Sequence, residues 1–183
     1  MLHAGERQCS RPLPSDSTPT DRIVAHTFSS DRLNGLLIEL GRSLLQYVGE
    51  SWPWSPGDDD EEKAVIDRLV AEQQESVAHL AALLDERGHL IDPGAYPTDY
   101  TSLHYVALDY LLGRLVAQQQ ELAADLHAAL QDAHGDEEAE LLLTGVAVQA
   151  DRHLEELRNL IAARDGKMRW SVQDKLGPAP NPV

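Results

Sequence analysis

Four stretches of the chain repeat apolar residues at helical spacing, and polar or proline-bearing segments separate them. The first opens on Ser29-Ser30-Asp31, an N-cap pattern, and sets Leu33, Leu36, Leu37, Leu40, Leu44, Tyr47 and Val48 on one stripe. It stops near Trp52, because Pro53 and Pro56 cannot continue a helix. The second starts within DDDEEKAV, where acids complement the positive end of the helix dipole, and runs through Val65, Ile66, Leu69, Val70, Val77, Leu80, Leu83 and Leu84 to Gly88. The third resumes at Leu103 and carries Ala107, Leu108, Leu111, Leu115, Leu122, Leu126 and Ala129. After the break HGDEE, with Gly135 as C-cap and Asp136 as N-cap, the fourth carries Ala139, Leu142, Leu143, Val146, Ala150, Leu154, Leu157, Leu160 and Ile161.

No strand-like alternation bounded by turns occurs, so the expected class is all-α, and four amphipathic helices bury four stripes most simply as a four-helix bundle. The third and fourth helices should be antiparallel neighbours. The link GHLIDPGAYPTDYTS between the second and third is long enough to cross the bundle from end to end, as the long connection of ferritin-like folds does. Residues 1–28 read as a flexible leader, 29–164 as the bundle and 165–183 as a proline-punctuated tail.

Composition narrows the function. At 183 residues the chain is one domain by length. A domain of that size buries about 70% of its unfolded surface without staples. A formal charge of −16 argues against nucleic acid or an anionic membrane as partner. The single Cys9 allows no disulfide framework and no thiolate zinc site, which fits a cytoplasmic protein. The chain shows no apolar signal segment and no apolar run of membrane-spanning length. Phosphate-binding glycine loops, H-E-x-x-H and serine-nucleophile motifs are absent as well.

The candidate chemistry lies in an echo. EQQESVAHL, 72–80, contains Glu75 and His79; VQADRHLEEL, 148–157, places Gln149 and His153 at the same spacing. At about 100° per residue, His153 falls within about 40° of its stripe's centre, whereas Glu72 and His79 fall roughly 80–100° from theirs and Glu75 farther out. Gln73 and Ser76 lie near the centre of the second stripe. His104, Gln118 and Asp125 lie inside the third, and Glu39, Gln46 and Glu50 project off the first.

Taken in order, RSLLQYVGESWPW, EQQESVAHLAALL, YPTDYTSLHYVALDYLLGRL and ADRHLEEL resemble the ferritin-like superfamily, in particular its poorly characterised bacterial bundles, over about residues 30–163. The resemblance implies a four-helix bundle with di-iron oxidase, rubrerythrin-like peroxidase or iron-handling ancestry. It matches Glu75 and His79 to the second-helix Glu/His pair and Gln149 and His153 to the fourth. Both pairs are spaced by four rather than three, Gln149 replaces a Glu, and the first helix offers no inward Glu. The expectation is therefore a degenerate metal site at Glu75, His79, Gln149 and His153, holding iron or another divalent metal, or none.

Simpler readings stand beside it. His79 can pair with Glu75 at a helix edge, His153 can be a core histidine bonded to Gln118 or Asp125, and Trp52-Pro53-Trp54 can close the bundle end. The DDDEE run reads as solvated. A non-catalytic interaction module is the alternative function: LLLTGVAV, 141–148, carries more apolar surface than one stripe needs and suggests a homodimer. A DinB-like bundle using His79, His104 and His153 for zinc is a third reading.

Overall fold

The computed structural model describes residues 27–52 and 59–176, with side chains described through 166 except those of 104 and 105. Helices α1 (Ser30–Gly41), α2 (Leu44–Glu50), α3 (Asp60–Glu86), α4 (Leu108–Asp132) and α5 (Glu137–Leu176) are joined by a crossover containing a 3-10 helix, Thr98–Tyr105. No strand occurs among the described residues. Residues 1–26, 53–58 and 177–183, and with them most of the expected leader, Pro53, Trp54 and the last part of the tail, lie outside the described residues. Helix α5 continues past 164 to Leu176.

The long link crosses the bundle. One apolar cluster joins α1, the end of α3, the end of α4 and the start of α5 around Leu33, Leu84, Leu126 and Leu143. A second joins α2, the start of α3, the 3-10 helix, the start of α4 and the later part of α5 around Leu45, Leu69, Leu111 and Leu157. Helix α3 thus ends beside the first cluster and α4 begins beside the second, so the two run parallel. Helix α4 packs mainly on α5 and α1 on α3, while α3 also touches α5, which leaves α3 and α4 diagonal. This is the four-helix bundle with the long second connection expected of a ferritin-like fold.

The first helix departs from its expected continuity. Arg42 leaves the helix, and Ser43 takes an extended conformation and restarts it, its Oγ accepting from the Gln46 N–H at 3.3 Å. Ser43-Leu44-Leu45-Gln46 has capping-box spacing, which explains the restart. The break resets the helical phase, so Gln46 is buried rather than projecting off the stripe. The third segment starts later than its periodicity indicated. Residues 98–105 wind as 3-10 helix, and α4 begins only at Leu108. Its buried face then runs through Leu115, Gln119, Leu122 and Leu126; Asp125 is exposed and Gln118 half-buried.

Arginine clamps close both ends. Asp136 caps α5 by accepting from the Ala139 N–H at 3.1 Å, and it also accepts from the Phe28 N–H at 2.7 Å and from Arg87 at 2.8 Å. Burial raises the pKa of Asp136, but these donors outweigh it and hold the carboxyl below its ordinary 3.8. At the other end Arg164 binds Asp59 and Asp109 and lies 3.6 Å from Glu62. Asp59 and Glu62 are buried, so these two members of the acidic run are not the solvated residues expected. Trp52 packs against the second cluster, with Lys63 5.8 Å above its ring.

The crossover is held on α1 by Asn34, which accepts from the Asp92 N–H at 2.9 Å, and by Arg42, which donates to the Pro93 carbonyl at 3.0 Å. Gly94 has φ +62°, and a Cβ there would meet Ile38 at 2.6 Å. Gly94→Ala should therefore destabilise the protein by about 2 kcal/mol, combining left-handed strain of roughly 1–2 kcal/mol with steric displacement of the crossover. Urea unfolding midpoints of the two proteins check this.

Candidate functional site

Between the two apolar clusters the bundle carries a buried polar layer. Gln46 on α2, Gln73 and Ser76 on α3, Gln119 on α4 and His153 on α5 are all buried, as is Ser43 at the helix break. The Oε1 of Gln73 accepts from Ser43 Oγ at 2.9 Å and from Gln46 Nε2 at 2.9 Å. Gln46 Nε2 also donates to the Val70 carbonyl at 3.1 Å, and its Oε1 accepts from Gln74 at 3.1 Å. Gln119 Nε2 donates to the Ala150 carbonyl at 3.2 Å, tying α4 to α5. Ser76 donates to Gln149, whose amide donates to the Glu72 carbonyl at 2.9 Å, tying α5 to α3.

The charged part of the layer sits at its α3/α5 edge. His153, 1% exposed, bonds through Nε2 to Glu72 Oε2 at 3.0 Å. Burial pushes the imidazole below its ordinary 6.5, more than the hydrogen bond and charge of Glu72 push it up, so it is neutral near pH 7 and Nε2–H donates. Burial also raises Glu72, but the hydrogen bonds from His153 and Arg68 and the charge of Arg152 hold it below its ordinary 4.5. Arg68 reaches Glu156 as well as Glu72. Glu72 is therefore an ionised carboxylate already matched by an imidazole and two guanidinium groups.

The four expected site residues divide between two places. Glu75, His79 and Gln149 line a groove of about 450 Å³ between α3 and α5, bordered by Leu141, Gly145, Val148 and Arg152. Glu75 and His79 are exposed there. His153 is buried on Glu72 instead, neither on Gln118 nor on Asp125. Gln118 accepts from the Leu44 N–H at 2.5 Å and donates to the Tyr100 hydroxyl, bracing the helix break against the crossover. The His104 side chain lies outside the described residues, so the three-histidine reading is described only for exposed His79 and buried His153.

Sequence reasoning missed Gln46 and Gln119. The capping-box spacing at Ser43 announces the first; the second is announced by its place three to four residues from Leu115 and Leu122 and seven from Leu112 and Leu126. The donor set at this layer does not fit a pair of metal ions. Three amides, two hydroxyls and one imidazole carry no negative charge, and the buried Nε2 of Gln73 presents unpartnered N–H donors, which a cation repels. Among the described residues no three His, Cys, Asp or Glu side chains cluster as metal ligands.

No family model matches the chain, and no curated protein matches it. A solved structure similar to it is a two-domain protein from Anabaena variabilis containing DJ-1/ThiJ/PfpI-like and ferritin-like domains. The TM-score is 0.53 at 14% sequence identity, covering 96% of this chain and 48% of that one. The chain spans about half the length of that protein, and the likeness is one of fold.

Two measurements follow from the layer. Gln73→Leu strips Ser43 and Gln46 of a shared acceptor and should cost about 2–4 kcal/mol, whereas Gln46→Leu with Gln73→Leu should cost less than the sum of the single variants. Chemical denaturation of the four proteins tests this. For pH, the folded state resists protonating His153, so stability is complete above the ordinary 6.5 and falls as pH drops below it. Glu72 and Asp136, whose folded values are depressed, add a second loss below the ordinary 4.5 and 3.8. In His153→Gln the loss that begins at the upper of these pH values should disappear and the acidic one remain, read from urea midpoints across the pH series.

Proposed function

We propose that the protein is a non-catalytic, cytoplasmic helical module on a ferritin-like bundle, in which the layer suited to two metal ions is filled by a neutral hydrogen-bonded network. In carboxylate di-metal bundles two helices each give an inward Glu and two each give Glu-x-x-His. The buried residues here that keep that arrangement are Gln46 and Gln119 for the lone acids, Gln73-x-x-Ser76 on α3 and Ala150-x-x-His153 on α5. His153 alone among the six is a metal-ligating type, and this replacement is the observation that carries the reading.

Charge balance supports it. Two divalent ions in a desolvated layer need carboxylates to offset a large transfer cost, and amide oxygens compete poorly with water for them. Glu72, the nearest acid in the network, already balances Arg68 and Arg152. Glu75 and His79 at the groove offer two ligands, too few for tight iron or zinc binding.

Metal analysis and melting curves of the purified protein, with and without anaerobic Fe(II) or Zn(II), test the reading. The expected result is no stoichiometric metal and an unchanged transition, because a real site at a hundredfold excess of metal over its Kd would add about 2.7 kcal/mol. Stoichiometric metal that survives dialysis and is lost in His153→Ala would overturn it.

A further inference from the structure

The outward face of α5 carries two large aliphatic residues left in the open, the most exposed large apolar side chains on the described bundle helices. Leu141 is 77% and Val148 64% exposed, and exposed Gly145 lies between them at spacings of four and three. This face is opposite the one whose Leu143, Val146, Ala150 and Leu154 fill the core. A Cβ on Gly145 would meet nothing within 4 Å, so no contact inside the chain requires a glycine there. Mid-helix glycine is about 1 kcal/mol less favourable than alanine, a cost with no return inside a single copy.

The charges on the same face are arranged symmetrically about that glycine. Glu138, 71% exposed, lies seven residues before Gly145; Arg152, 53% exposed, lies seven residues after it. Seven residues are close to two helical turns, so all three share one side of α5. Two copies of α5 crossing antiparallel at Gly145 would set Glu138 of each copy against Arg152 of the other and Leu141 beside Val148, with bare glycines at the point of closest approach. Such a face complements itself, which selects a second copy of this chain over an unrelated partner.

We propose that the protein forms a twofold-symmetric dimer in which α5 crosses α5 of a second copy at Gly145, burying Leu141 and Val148. The proposal does not rest on the metal reading: Leu141, Gly145 and Val148 lie outside the polar layer, and of the charged pair only Arg152 also touches it, through Glu72.

Sedimentation equilibrium of the full chain from about 1 to 200 μM tests it, a range that brackets a micromolar Kd. A dimer is expected, with association weakened at least about tenfold by Leu141→Glu and by Gly145→Ala, as central contacts in a small interface require. Gly145→Ala should at the same time raise the melting temperature measured at concentrations where the chain is monomeric. Glu138→Arg and Arg152→Glu should each weaken self-association, and an equimolar mixture of the two should recover it, since only the mixed pair restores both ion pairs. Circular dichroism confirms that each variant is folded. If Arg152→Glu fails to fold through loss of its contact with Glu72, Leu141→Glu and Gly145→Ala still decide. A monomer throughout the range, or a dimer indifferent to both of those variants, overturns the proposal.

Discussion

A buried side-chain amide offers both a carbonyl and an amino group, and Gln73 finds donors for its carbonyl only because the first helix breaks. Ser43 and Gln46 both donate to its Oε1, and both are in place because the backbone restarts at Ser43. The break has its own support: Gln118 accepts from the Leu44 N–H, and the Tyr100 hydroxyl accepts from Gln118. Helix α2, helix α3, helix α4 and the crossover are thus joined by one chain of hydrogen bonds. The satisfied members of this network cost little net stability, whereas the amino group of Gln73, buried without an acceptor, carries a desolvation cost.

The electrostatics follow the same economy. A chain of formal charge −16 has few cations to place, and most of those described at the bundle's interior edges serve more than one acid. Arg164 joins Asp59 and Asp109, Arg68 joins Glu72 and Glu156, and Arg87 joins Asp136 to the Phe28 carbonyl. The first and last of these fasten the ends of helices, where unpaired backbone groups and the helix dipole make fixed charges most effective. The second, with Arg152 and His153, keeps Glu72 ionised at the edge of the layer, its charge balanced by the two guanidinium groups.

Much of this was legible in the sequence, and the boundary has physical causes. The all-α class, the cap at Asp136, the crossing link and the inward His153 all follow from periodicity and capping, which are local signals, whereas α4 ends earlier than its glycine suggests, with Ala133 rather than Gly135 as C-cap. Gln46 is not legible from a single stripe because the helix restarts before it, and a phase reset changes which face a residue occupies. Asp125 lies on the apolar stripe only if Leu103 and Ala107 share its helix, and that helix begins at Leu108. The helical angle of Glu72 sets it at the flank of its stripe, but its pairing with His153 spans two helices and no spacing within one segment encodes it. The Glu75/His79 echo drew attention by its spacing of four, while the buried residues on α3 and α5 are spaced by three.

The polar layer also governs how the helices can slide. Apolar stripes of leucine and alanine tolerate displacement by a turn, since one leucine in a hydrophobic groove resembles the next. A shift of α3 along its axis by 5.4 Å, one helical turn, would carry Gln73 away from Ser43 and Gln46 and into one of the flanking leucine clusters. The amide would then be buried without acceptors or donors, and Ser76 would leave Gln149 at the same time. The waist of the bundle therefore acts as a detent, making one axial register distinct among several that the hydrophobic pattern alone would permit.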